Sequence, residues 1–511
     1  MYDKNLGTKQ KALRLNLDRQ IYGSFAEIGA GQETAAVFFK VGGASGTVAK
    51  TMSAYDMTFS DAIYGTEVSG RYVVESRLMK MLNKEYSLLE KRLSAQRGAD
   101  TTFFAFANTV VALNYQKTNE GHGWLGCRFQ SDPLALFNDV VIHVRLLDNE
   151  NVLQQQTLGV VGVNLIYACF YYAKAPETLV LSLLDDLSPE RVQIDTIRCS
   201  GPDFERVDNR LMSLYLVKNG FTDAAIFDPG GSVLQPKEAL YKKNILVMRG
   251  RLRPVTNVQL DMIDNGLKQF LEEPDVDPDR VTMLSELTLH NLKANERGID
   301  EKDFLDRVDI LCSLGQTVMI SNYHEYYRLV AYLSRLTRLK IGLIMGIPNL
   351  EYIFEEDHYS FLPGGILESF ATLFSRKVKL FVYPTLRHGE IYTCAQFQLP
   401  PHLEPLFQYL KQNDKIEDIT DFNEQNLHIS TDHVLEMIQA GEGGWESMVP
   451  AGVVSQIKEN CLFGYPCEVE YTPISVQIQQ ATGQQNTPLT DPDMAPMATL
   501  PPAVAAAIAV P

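Results

Sequence analysis

Arg249, Arg251 and Lys242 gather around one apolar segment, "NILVMRG", in a chain whose formal charge is −17. Such a local cluster suits a phosphate or carboxylate, whose oxygens guanidinium groups can engage in pairs. Glu286 closes a second apolar segment, "VTMLSEL", and Asn322 follows a third, "TVMIS". A carboxylate at the end of a buried strand needs hydrogen bonds or a cation, and such groups concentrate at functional sites. The chemistry these types suit is anion binding by Arg249, Arg251 and Lys242, orientation by Asn322, and general-base or magnesium-binding work by Glu286. Structural roles are open to the same residues. Asn322 or Ser321 could cap the helix expected at "YHEYYRLVAYL", and Glu325 with Arg328 could pair along it.

A second candidate is "SFAEIGAGQETAAVFFK", residues 24–40, which reads as strand, glycine turn and helix. Gly29 and Gly31 would let the backbone approach a ligand, and the helix start would offer free N–H groups. The dinucleotide fingerprint asks for a third glycine, whereas Gln32, Glu33 and Thr34 follow here. "EIGAG" is also similar to the first motif of S-adenosylmethionine-dependent methyltransferases, with Glu33 standing where another glycine is usual. A plain strand-to-helix turn needs the same two glycines.

Other chemistry finds little local support. The nine histidines show no HxH or HExxH spacing, there is no GxSxG elbow, and no metal set is indicated. "EGHGWLG" places His122 between glycines beside Trp124, as a loop near a ligand or a polar turn would. Asp303, Asp306 and Asp309 recur every three residues with Arg307, the pattern of a solvated helix face. Seven scattered cysteines without a CxxC pair are expected to be reduced and mostly buried, as in a cytoplasmic protein.

The elements that must position these groups follow from periodicity. Residues 73–97 carry apolar side chains at helical spacing and predict a long amphipathic helix. "TTFFAFANTVVAL", "DVVIHVRLLD" and "VQIDTIRCSG" favour strand, and so does the apolar run "LGVVGVNLIYACFYYA" at 158–173. From about residue 180 to 384, apolar strands alternate with helical stretches such as "EKDFLDRVDILCSLG" and "ILESFATLFS". That alternation predicts an α/β fold: a mostly parallel sheet with helices on both faces, doubly wound or closed into a barrel. In either form ligands bind beyond the C-terminal strand ends, where Arg249 and Glu286 fall. The expected division is an N-terminal, β-rich α+β domain over 1–175, a parallel α/β domain over 176–399, a helical extension over 400–472 and a disordered tail over 473–511.

A chain of 511 residues with 45% hydrophobic content can bury several cores. Its acidity argues against nucleic acid or an anionic membrane as partner. The polar N-terminus lacks a signal-peptide core, and the run at 158–173 is short for a membrane span.

Across "LNLDRQIYGSFAEIGAGQE", "GGASGTVAKTMSAYDMTFSDAIYG", "VDNRLMSLYLV", "FLDRVDILCSLGQTVMISNYHEYYRL" and "LFGYP", the chain resembles a bacterial family, prominent in cyanobacteria, of about this length. The similarity spans residues 10 to 467. Relatives carry the labels nicotinate-nucleotide adenylyltransferase and TonB-dependent receptor. The receptor label implies a signal peptide and a barrel of amphipathic strands, which this sequence does not show. The adenylyltransferase label implies HxGH-type and SxTxxR-type motifs, and neither "GHGW" nor "SNYHEYYR" reproduces them.

The expectation is a cytoplasmic protein that binds a nucleotide or phosphorylated metabolite, as a transferase, with ATP and magnesium the cofactors such a reaction would use. A non-catalytic binding or assembly protein, as a homo-oligomer or through a partner of the tail, is the alternative; methyl transfer is a third.

Overall fold

In the computed structural model, residues 6–295, 298–374 and 377–467 are described, so the tail expected from 473 lies outside them. Two sheets organise the chain. The first has six strands: β1 (Ile21–Gly29), β2 (Val48–Ala54), β3 (Thr102–Val111), β4 (Gly121–Gln130), β5 (Phe137–Leu146) and β6 (Val192–Ser200). Their order is β2-β1-β3-β4-β5-β6; β2, β1 and β3 run parallel, and β3 to β6 form an antiparallel meander. Period-2 alternation divides the side chains. Phe25, Phe104 and Phe106 face one core with Phe38, while Ala26, Phe103 and Ala105 face the helix Glu75–Arg97. The Phe25 ring lies 5.1–6.0 Å from those of Phe38, Phe104 and Phe106.

The apolar run at 158–173 is not strand. All but its last two residues lie in a 21-residue helix, Asn151–Tyr171, that packs on the first sheet and on the helix Glu33–Val41. The run is apolar on every side because the helix is buried on nearly every side, which removes the polar stripe that normally reveals a helix. Gly159 and Gly162 permit the close approach: a Cβ at Gly162 would stand 2.3 Å from Thr34 Oγ1. Among the described residues no helix is long and apolar enough to cross a membrane.

The second sheet draws on β7 (Ala224–Phe227), β8 (Val233–Leu234), β9 (Asn244–Arg249) and β10 (Val281–Thr288). A small pair, β11 (Lys293–Asn295) and β12 (Gly298–Ile299), stands apart. Then come β13 (Thr317–Ser321), β14 (Ile341–Gly346) and β15 (Val378–Tyr383), a hairpin of β16 (Thr385–Arg387) and β17 (Glu390–Tyr392), and β18 (Ile416–Asp418). The order is β18-β15-β14-β9-β10-β13-β7-β8. From β18 to β13 the pairs are parallel, while β7 and β8 close the edge antiparallel. The sheet is open, with a core on each face, so it is doubly wound and not a barrel.

Numbered in chain order, the six parallel strands read 3-2-1-4-5-6 from β13 to β18. The helices Asn257–Leu271 and Glu301–Ser313 carry the chain outward from β9 to β10 and β13 on one face. The helix Tyr326–Leu336 then returns it to β14 on the other face. A crevice therefore opens between the ends of β9 and β14, where the winding reverses. The helix Asn209–Lys218 links the sheets: Met212 and Leu216 enter the first core, Leu214 and Val217 the second. Residues 1–466 form one compact unit.

Five cysteines are free, and Cys127, Cys169, Cys199 and Cys394 among them are buried. Cys461 and Cys467 are disulfide-bonded, which corrects the expectation of reduced thiols throughout.

Candidate functional site

Arg249 is the last residue of β9, and its side chain crosses to Glu286 on the neighbouring strand, with which it is in register. The pairing is bidentate: Nε donates to Oε2 at 2.9 Å and Nη2 to Oε1 at 3.0 Å. Ser321 Oγ, at the end of β13, donates to Oε1 of Glu286 at 2.6 Å. A third arginine donor, Nη1, reaches the His324 carbonyl at 2.7 Å, and the guanidinium stands 4.5 Å from the Tyr326 ring centre. Burial alone would lower the arginine pKa, but Glu286 outweighs it and the net shift is upward. Three of the five guanidinium N–H groups are thus engaged among the described residues, which leaves two.

That crevice is a cavity of about 330 Å³ lined by Arg249, Gly250, Arg251, Thr288, His290, Asn291, His324, Tyr326, Asn349 and Tyr352. These residues come from the C-terminal ends of β9, β10, β13 and β14, so four strands converge on one opening. The His290 and His324 rings are 4.9 Å apart, and His324 Nδ1 shares a 2.6 Å hydrogen bond with the Tyr352 hydroxyl. Burial first, and His290 second, hold His324 below the ordinary histidine range.

The cavity walls are tied together from behind. Asp303 and Arg307 do not form a solvated face; both are buried and paired, and Asp303 also binds Arg253. Arg307 Nη1 donates at 3.0 Å to the carbonyls of both Arg251 and Asn291, joining the loops after β9 and β10. Helical spacing gave the face correctly, but not that two loops would cover it. Asp306 and Asp309 are the less buried pair of that acidic row.

Of the residues singled out by sequence, Arg249, Arg251 and Glu286 come together. Arg251 stays largely exposed, 3.1 Å from Asp432. Glu286 is fully buried behind Arg249, with both oxygens in hydrogen bonds. Asn322 is exposed, and its backbone N–H bonds to the Asp223 carbonyl on the β7 side; the helix cap falls at Glu325, which pairs with Arg328 at 3.4 Å. Lys242 precedes β9 and so stands at the opposite end of that strand from Arg249, with its ammonium over the Tyr241 ring. His290, His324, Tyr326 and Tyr352 were missed, although each follows shortly after an apolar strand and that position was the available signal.

Gly29 ends β1 in the other sheet, and Gly31 lies two residues beyond it. Gly29 has φ +78°, and a Cβ there would meet the Val110 carbonyl oxygen at 2.2 Å; one at Gly31 would meet Asn108 Oδ1 at 2.4 Å. Packing alone therefore demands both glycines. The N–H groups of Thr34 and Ala35 at the following helix are taken by Glu27, whose oxygens lie 3.1 and 3.3 Å away. Desolvation raises the Glu27 pKa to about 7 against the pull of these donors and Asn108. The protein's own carboxylate occupies the place an anionic ligand would take. Among the described residues no group of three or more His, Cys, Asp or Glu is arranged to hold a metal ion.

No family model and no curated protein matches the chain. Among solved structures it is similar to the competence/damage inducible protein CihA from Agrobacterium tumefaciens, at 16% identity, covering 32% of this chain and 94% of that one, with a TM-score of 0.24. It is similar also to the competence damage-inducible protein A (ComA) from Klebsiella pneumoniae, at 14% identity, 32% and 94% coverage and a TM-score of 0.23.

Proposed function

We propose that the protein binds a nucleotide or another phosphorylated small molecule in the crevice at the ends of β9, β10, β13 and β14. The observation that carries this reading is the pre-set arginine at the reversal of strand order. Arg249 is held rigid by Glu286 and Tyr326, with donors left over, beside a cavity of ligand size. Its remaining N–H groups and Arg251 would take phosphate oxygens, Asn291 and Asn349 would meet hydroxyls, and Tyr352 with His324 would flank a ring. Glu286 then serves as a positioning carboxylate and not as a base, because its lone pairs already face Arg249 and Ser321.

The finer reading is a transferase acting on that ligand, with His324 as the group that exchanges a proton. Its depressed pKa leaves the imidazole neutral, hence able to accept, at neutral pH.

A thermal-shift panel of ATP, nicotinate and nicotinamide mononucleotides, NAD, S-adenosylmethionine and sugar phosphates, with and without magnesium, tests binding. A ligand at 100 times its dissociation constant adds about 2.7 kcal/mol to stability. Arg251→Ala is expected to weaken the stabilising ligand about tenfold, the cost of one charged hydrogen bond near solvent. No stabilisation by any nucleotide of the panel, or nucleotide stabilisation that Arg251→Ala and His324→Ala leave intact, contradicts the reading.

A further inference from the structure

A second, larger cavity of about 570 Å³ opens against the first sheet, away from the strand-end crevice. His122 on β4, His143 on β5 and Asp195 on β6 stand on three adjacent antiparallel strands, beside Trp124, whose register partner is His143. His122 Nδ1 lies 3.2 Å from His143 Nε2, and His143 Nδ1 lies 2.7 Å from Asp195 Oδ1. His143 and Asp195 are buried at 3% and 4% exposure. Three side chains on neighbouring strands thus form one hydrogen-bonded row that leads from the core to the cavity.

The direction of that row follows from its buried end. Asp195 accepts from Thr196 Oγ1 at 3.1 Å and from Gln235 Nε2 at 3.4 Å, and a carboxylate accepts only. His143 Nδ1 is therefore its donor. In the arrangement where His143 carries its proton on Nδ1 alone, its Nε2 accepts from His122 Nδ1–H, and His122 is left with a bare Nε2. Desolvation, then the neighbouring His143 and Lys237, bring the His122 pKa down to about 4, against the opposing pull of Asp195 and Glu120. The ring stays neutral, and its free nitrogen stays an acceptor, through the physiological range.

The other walls have complementary chemistry. Arg71 and Lys237 supply positive charge at the exposed side, beside the Glu238 carboxylate that also lines it, and Lys237 meets Glu120 at 2.9 Å. Trp124, Tyr72 and Tyr241 offer aromatic surface. We infer that this cavity is a second ligand site, for a hydroxylated small-molecule anion such as a sugar phosphate, with His122 Nε2 accepting from a hydroxyl and Lys237 and Arg71 holding the anionic group. The site is independent of the strand-end reading.

The test uses the full chain carrying Trp445→Phe, which leaves Trp124 as the one emitter of the two tryptophans. Ribose 5-phosphate at millimolar concentration is expected to change Trp124 emission saturably. Lys237→Ala, a change at an exposed side chain, is expected to weaken that response about tenfold, and Arg251→Ala to leave it unchanged. Long-range ¹H–¹⁵N spectra of the histidine rings at pH 7 are expected to show His122 protonated at Nδ1 and bare at Nε2. Emission unmoved by ribose 5-phosphate, a response equal in Lys237→Ala, loss of the response in Arg251→Ala, or a proton on His122 Nε2 would each overturn the inference.

Discussion

Arg249 and Glu286 form a pair whose members are worth little alone. Glu286 is fully buried and the Arg249 side chain is 8% exposed, so removing one charge strands the other in a medium that solvates it poorly. Glu286→Gln is expected to lower unfolding free energy by about 3–5 kcal/mol, read from urea denaturation. A loss below about 1 kcal/mol would show that the pair is hydrated and does not fix the arginine. Glu27 has the opposite electrostatics, since the groups that bond to it, on Thr34, Ala35 and Asn108, are neutral. Its folded pKa of about 7 lies above the ordinary glutamate value of 4.5, so the folded state holds more protons than the unfolded state between those values. Stability must then fall as pH rises from 4.5 through 7, by about 3 kcal/mol from this group. Measured urea midpoints in wild type should decline across that window, and Glu27→Gln should flatten the decline. A wild-type profile rising between pH 5 and 8 as steeply as the Glu27→Gln profile would refute the assignment.

The helix Asn151–Tyr171 shows how far periodicity carries an element. The amphipathic helix at 75–97 and the strands β3, β5, β6, β9, β10, β13, β14 and β15 were legible because each has a period or a bounded apolar run. The run at 158–173 had neither a polar face nor strand length, and its two glycines were the remaining clue. Gly162 matters for a steric reason that the sequence hides, namely that Thr34 is its neighbour in space. Gly162→Val is expected to cost about 1–3 kcal/mol or more by overpacking against Thr34, measured as a fall in the urea midpoint. A neutral result would mean that the two helices are not closely packed. The acidic row at 303–309 gives the same lesson from the polar side. Spacing shows which residues share a face, while burial depends on loops remote in sequence, here those holding Arg251 and Asn291.

At the scale of the molecule, strand order converts separate segments into a site. Alternating strands and helices announced an α/β sheet, and strand ends pointed to Arg249 and Glu286, but the reversal between β9 and β14 is a property of three-dimensional order alone. Lys242, eight residues before Gly250 in sequence, lies at the far end of the strands because β9 intervenes. His324 and Tyr352 are 28 residues apart and meet because β14 returns beside β9. The site's placement at the reversal is the central claim, and hydrogen–deuterium exchange with and without the most stabilising nucleotide of the ligand panel tests it most directly. Protection is predicted in the segments 249–256, 288–293, 322–328 and 346–352, which border one crevice. Protection confined to the Gly29 turn, or to the segments around Arg71 and Lys237, would contradict the account.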